Sequence, residues 1–155
     1  MAQAVNSNSS SPLSLDNEVL RSLLFYCSIL VLKMMLMSFL TASKRFKHKA
    51  YANPEDAKLE NLKPQVNENV ERVRRAHLND VENIPLFFVI ALIYTLTNPA
   101  VYFAKTLFFA YTLARIGHTV VYAVVPIPQP ARVLCWMVGY GITGYMGVVS
   151  LLTFK

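Results

Sequence analysis

The chain has 155 residues, 54% of them hydrophobic and 15% charged, with 15 Lys and Arg against 9 Asp and Glu for a formal charge of +6. Its mean hydropathy is +0.37, whereas an ordinary soluble domain has about a quarter of its residues charged. These figures exclude a highly solvated, disordered chain. Four membrane spans of ~20 residues would use about half the sequence and leave no room for a second, soluble domain.

Residues 1–17 are rich in Ser and Asn and have no basic segment ahead of the first apolar run, which predicts a short flexible tail rather than a cleavable signal peptide. Asn8-Ser9-Ser10 within it is a glycosylation sequon. Val19 to Ala42 is apolar and long enough to cross a ~30 Å hydrocarbon layer. Arg21, near one end, can snorkel to the interface. Lys33 is central, where a charge costs ~2.5 to 3.5 kcal/mol on insertion scales. It is therefore expected to face protein and pair with Asp80 or Glu82.

Between Thr41 and Arg75 lie nine of the cations: Lys44, Arg45, Lys47, Lys49, Lys58, Lys63, Arg72, Arg74 and Arg75. Such an excess predicts a cytoplasmic loop, about residues 43–69. Asn53-Pro54-Glu55-Asp56 reads as a helix start with Pro at the first helical position, so this loop should be ordered. A second span is predicted from about Val70 to Thr97, stopped by Asn98-Pro99. After so short a connection a third span, Val101 to Val125, must return antiparallel. Pro126-Ile127-Pro128-Gln129-Pro130 ends it in a tight turn. The fourth, Ala131 to Phe154, carries Gly139, Thr143 and Gly147 at intervals of four, a small-residue stripe suited to close helix packing. Cys27 and Cys135 fall in apolar runs without CxxC or Cys/His spacing and read as core. The expected fold class is an all-α membrane protein, a four-transmembrane-helix bundle in one domain over 18–155, with both termini luminal.

The densest polar run is 71–83. At ~100° per residue, Glu71, Arg72, Arg75, Asn79 and Glu82 share a face, while Arg74, His77 and Asp80 point elsewhere. A helix polar on several sides must be surrounded by protein, so a homo-oligomer with sites at subunit boundaries is expected. Arg115, His118, Thr119 and Tyr122 share a face of the third span, and Arg132 follows the proline turn. Arg75, Arg115 and Arg132 make a set suited to carboxylates, whose two oxygens match the guanidinium fork. Asn79, Glu82 and Tyr122 would serve the rest of a small zwitterion. Two other uses stand beside this: anchoring to anionic lipid, and an Arg115–Glu82 ion pair that only fixes packing. His77 and His118 have no partner at metal spacing, so no metal is expected. Nucleic acid is not an expected partner, because no soluble basic stripe exists.

These segments, together with Ala114-Arg115 to Tyr122 and Pro126 to Arg132, resemble the family of membrane-associated proteins in eicosanoid and glutathione metabolism (MAPEG), and within it the conjugating, microsomal branch. The resemblance implies a homotrimer in the endoplasmic reticulum membrane, and also the mitochondrial outer membrane, with its active site facing the cytosol. It implies glutathione as co-substrate, bound between subunits by Arg45, Arg74, Arg75, His77, Asn79, Glu82, Arg115, His118 and Tyr122. Arg132 is implied as the catalytic cation nearest the sulfur and Asp56 as a catalytic helper. The implied activity is conjugation to hydrophobic electrophiles drawn from membrane lipid, with peroxidase activity on lipid hydroperoxides. Prostaglandin endoperoxide isomerisation and a non-catalytic membrane adaptor are the alternatives within the family. Ala57 stands where the conjugating branch has a modifiable Cys, Val133 where the prostaglandin branch has a Ser, and one extra residue lies between Tyr122 and Pro126.

Overall fold

The structure, a computed structural model, describes residues 12–155; the Asn8 sequon lies outside them. Helix α1 (Glu18–His48) starts at Asn17, whose side-chain oxygen accepts from the Val19 amide at 2.9 Å, an ordinary N-cap. It runs past Ala42, the predicted end, because Arg45, Lys47 and His48 in its last turn complement the helix dipole. The apolar run marked where the lipid ends, not where the helix ends. Lys49, at φ 47°, closes α1 with a left-handed cap.

The connection is ordered, as Asn53-Pro54 predicted. Helix α2 (Pro54–Leu59) begins at that Pro. Gln65 ties the returning chain down, its amide N–H donating to the Tyr51 carbonyl and its side chain to the Lys49 carbonyl, both at 2.8 Å. Tyr51 donates its phenol to Glu60 at 2.7 Å, and that hydrogen bond raises the phenol above its ordinary pKa.

Helix α3 (Glu68–Leu96) is continuous through Pro85. Pro85 has no N–H to give the Val81 carbonyl four residues earlier; in the same turn the Tyr111 hydroxyl donates to a different carbonyl, that of Asn83, at 3.0 Å. Asn98 takes φ 53° in the short turn to helix α4 (Val101–Thr119), a conformation Asn tolerates better than most residues. The predicted third span was one α-helix to Val125; instead it widens into a π-helical turn, Val120–Val124. Pro126 and Pro128 cannot donate, and the amides of Val125 and Ile127 reach back to the carbonyls of Val120 and Val121 at 2.8 and 2.9 Å. Helix α5 (Ala131–Thr153) completes the four long helices, and the described residues contain no strand.

α1 and α5 each pack against both α3 and α4, which face one another across the centre. One apolar core holds Leu30, Ile84, Phe87, Phe108, Tyr111 and Met146, with the Phe87 and Tyr111 rings stacked at 3.7 Å. A second, smaller one holds Met37, Val73, Ala76 and Ala123. Between them along every contributing helix lies a charged layer: Lys33 of α1, Asp80 of α3 and Arg115 of α4. Of the two partners expected for Lys33, Asp80 is the one it meets. Gly139 of the small-residue stripe is buried, and a Cβ there would lie 3.4 Å from the Tyr111 ring and 3.6 Å from Arg115 Cδ; its absence brings α5 onto the charged layer. Cys27 packs partly buried against the larger core, and Cys135 sits partly buried near Gly117; both are free thiols.

The outside of the bundle is covered in large apolar side chains, Leu24, Phe25, Leu32, Leu36, Phe39, Leu86, Val89, Leu113, Leu134 and Val148 among them. In water so continuous a patch would drive aggregation. On four helices long enough to cross a bilayer it is the lipid-facing surface of a multi-pass membrane protein.

Candidate functional site

The functional candidates gather at one end of the bundle, where α1 and α4 end and α3 and α5 begin. We call it the basic end. Three cavities open there, and α3 is the wall between the first two. Buried Val73, Ala76, Asp80, Ile84 and Phe87 mark the inner side of α3. The opposite side carries Arg74, Arg75, Leu78 and Glu82, all exposed. The helix therefore turns its most charged face away from its own bundle.

The first groove, of about 420 Å³, lies between α3, the π-helical turn and α5. Arg75, Asn79, Glu82, His118, Tyr122 and Arg132 line it, so six of the sequence-predicted residues come together here. Arg132 lies over the Tyr122 ring, its guanidinium carbon 4.3 Å from the ring centroid, a cation–π contact. His118 meets the same ring edge-on at 5.5 Å. Gln129 fixes Arg132 from the other side. A guanidinium only donates, so the amide oxygen must face it, accepting from Nη2 at 2.6 Å and Nε at 3.2 Å.

The second groove, of about 500 Å³, lies between α1 and α3 and contains Arg45, Arg74, Arg75 and His77. Arg74 is bound to Glu71 at 2.7 Å, and Arg75 to Glu68. The third cavity, of about 240 Å³, lies between the end of α1 and α2, with Arg45 and Asp56 in its wall beside Phe46, Tyr51 and Leu59. Asp56 accepts from the Asn53 amide at 3.1 Å. Arg75 is shared by the first two cavities and Arg45 by the last two. Asp56 and Arg132, expected to act on one reaction, line different cavities within a single chain.

Arg115 lines none of the three. The sequence grouped it with Arg75 and Arg132 around an anion, or paired it with Glu82. Instead its guanidinium turns inward, donating to Asp80 at 2.6 Å and Asn79 at 2.9 Å. Both Asp80 and Arg115 are fully buried, and a buried carboxylate without a cation is far costlier than an exposed one. The carboxylate therefore takes the cation directly across the bundle. Around this pair Arg115 Nε, His118 Nδ1 and the hydroxyls of Thr112 and Thr119 are buried without a protein partner.

Sequence reasoning did not assign four residues of the first groove to the site: Leu78, Gln129, Val133 and Trp136. Trp136 was detectable, since it stands four residues after Arg132 on the same side of α5. It stacks on Tyr140 at 4.8 Å.

The model of the MAPEG family matches residues 23–152. Microsomal glutathione S-transferase 1 of Mus musculus is 49% identical over 135 residues, which cover 83% of this chain and 86% of that protein. Its Homo sapiens counterpart is 47% identical with the same coverage. Prostaglandin E synthase of Homo sapiens is 35% identical over 113 residues, 71% of this chain and 74% of that protein. A family match over most of the chain, joined to four apolar helices with a charged layer among them, makes this chain a member of the MAPEG family.

Proposed function

We propose that the protein is a membrane-bound glutathione transferase that joins the thiolate of glutathione to hydrophobic electrophiles. The carrying observation is Arg132, held between Gln129 and the Tyr122 ring at the edge of a groove that also contains Arg75, Asn79 and Glu82. A cysteine thiol titrates at about 8.5 when unperturbed, and a neighbouring cation lowers that value. Arg132 is the cation we assign to the sulfur. Arg75 suits a tripeptide carboxylate, while Glu82 suits its ammonium group and Asn79 a peptide amide. The electrophile, already dissolved in lipid, would enter sideways past Leu78, Val133 and Trp136. With a lipid hydroperoxide the thiolate attacks the terminal peroxide oxygen, the O–O bond breaks, and the lipid alkoxide leaves and takes up the proton that the thiol gave up, becoming the alcohol. The resulting sulfenic acid condenses with a second glutathione thiol to a disulfide and water.

The exposed charged side of α3 supports assembly. Arg74, Arg75 and Glu82 cannot face lipid cheaply, so copies of the chain covering that side, as a homotrimer, would bring the grooves of neighbours together and Asp56 toward Arg132. The basic loop supports a cytosolic position for this end, in the endoplasmic reticulum or the mitochondrial outer membrane. Val133 gives the groove no hydroxyl beside Arg132, which disfavours endoperoxide isomerisation.

Calorimetric titration of the detergent-purified protein with glutathione, followed by the ultraviolet absorbance of bound thiolate, tests the reading. Binding with thiolate formation supports it; neither heat nor absorbance would overturn it in favour of a non-catalytic adaptor. Arg132→Ala is expected to keep binding and lose about a hundredfold in turnover of an aryl halide, the scale of removing one preorganised charge-stabilising donor.

A further inference from the structure

Resting on that reading, we propose that Lys33, which lines none of the three cavities, is a positioning residue for glutathione activation. Through Asp80 it helps to fix Arg115 against Asn79 on the groove wall, and it leaves an unbalanced positive charge behind the bound thiol.

Each Asp80 oxygen has its own cation, Oδ1 taking Arg115 at 2.6 Å and Oδ2 taking Lys33. The same Arg115 nitrogen donates to the Asn79 side chain at 2.9 Å. Because a guanidinium only donates, the Asn79 atom it meets is the oxygen. The Asn79 Nδ2 is thereby left free to donate elsewhere, and Asn79 is a groove residue. The layer thus reaches the site through one side chain.

Packing alone does not call for Lys33. Asp80 with Arg115 is already a neutral pair, and a third ionised group near the middle of α1 adds insertion cost. What it adds electrically is one net positive charge. The charged groups around the first groove are Lys33 of α1, Arg75 with its partner Glu68, Asp80 and Glu82 of α3, Arg115 of α4 and Arg132 of α5, with His118 and Tyr122 as further titratable neighbours. Four cations stand against three carboxylates, and without Lys33 the charges balance. In a medium of low dielectric such a charge acts over longer distances than in water.

Lys33→Met keeps the stem and the neutral Asp80–Arg115 pair, so it is expected to fold. The thiolate absorbance of glutathione bound to the detergent-purified protein, followed against pH, should then show the thiol's pKa raised by about one unit, a tenfold loss of thiolate below it. Lys33→Arg should restore the original profile. An unmoved profile in Lys33→Met overturns the proposal, as does a change confined to glutathione affinity or to the unfolding temperature. Absence of any thiolate signal in the unsubstituted protein would instead overturn the proposed function, and this inference with it.

Discussion

The two ends of the bundle are built from the same four helices and close differently. At the apolar end Phe87, Phe108, Tyr111, Tyr94 and Met146 fill the centre, and the ion pair there, Lys105 with Glu18 at 2.7 Å, stays on the surface. At the basic end the core shrinks to Met37, Val73, Ala76 and Ala123, and the ion pairs of Asp80 go inside. Three cavities remain open around it. An end finished within one chain supplies stability; an end left unfinished has room for a ligand and for another chain.

Substitutions can break this contrast. The largest loss is expected from Asp80→Leu, which strands two buried cations and should cost about 3 to 5 kcal/mol, read as a collapse of the unfolding temperature in detergent. An unchanged temperature would mean that the charged layer holds nothing together. Phe87→Ala empties the stacked position of the apolar end. It should cost about 3 kcal/mol while the folded fraction keeps its glutathione affinity. Arg75→Ala inverts that pattern: an exposed side chain leaves stability alone, but loss of a charge-assisted contact should weaken glutathione binding by about 2 kcal/mol, some thirtyfold. Smallest of all, Lys105→Met should leave both the unfolding temperature and the titration as they were, since exposed ion pairs contribute little.

Much of the fold was legible because lipid imposes one rule on every span. Apolar runs of the right length, the Asn98-Pro99 stop and the proline turn at 126–130 gave the helix order. The cost of a central Lys33 gave its partner to within two residues. The failures have a common cause. Hydropathy follows solvent rather than hydrogen bonding, so the end of α1 and the π-helical turn went unseen. Helical spacing shows which residues share a face but not what stands opposite. Arg115 was therefore grouped with the arginines it resembles instead of with Asp80, which it touches. The division of the candidate residues between two sides of α3, by contrast, was legible in helical spacing. Arg75 and His77 are only two positions apart, yet at ~100° per residue Arg75 shares a face with Asn79 and Glu82 while His77 points elsewhere. The first groove takes Arg75 with Asn79 and Glu82, and His77 belongs to the second.

The widened turn at Val120–Val124 decouples the helix before it from the helix after it. Adding one residue to a regular helix rotates everything after it by about 100°, whereas a π-type turn swallows the addition locally. Here it sits just ahead of a proline-rich reversal that uncouples the next helix from such phase errors. The extra residue is taken up at this joint, and Arg132 still lies 4.3 Å over the Tyr122 ring, so the rim of the groove is set by the joint rather than by the phase of the scaffold beneath it.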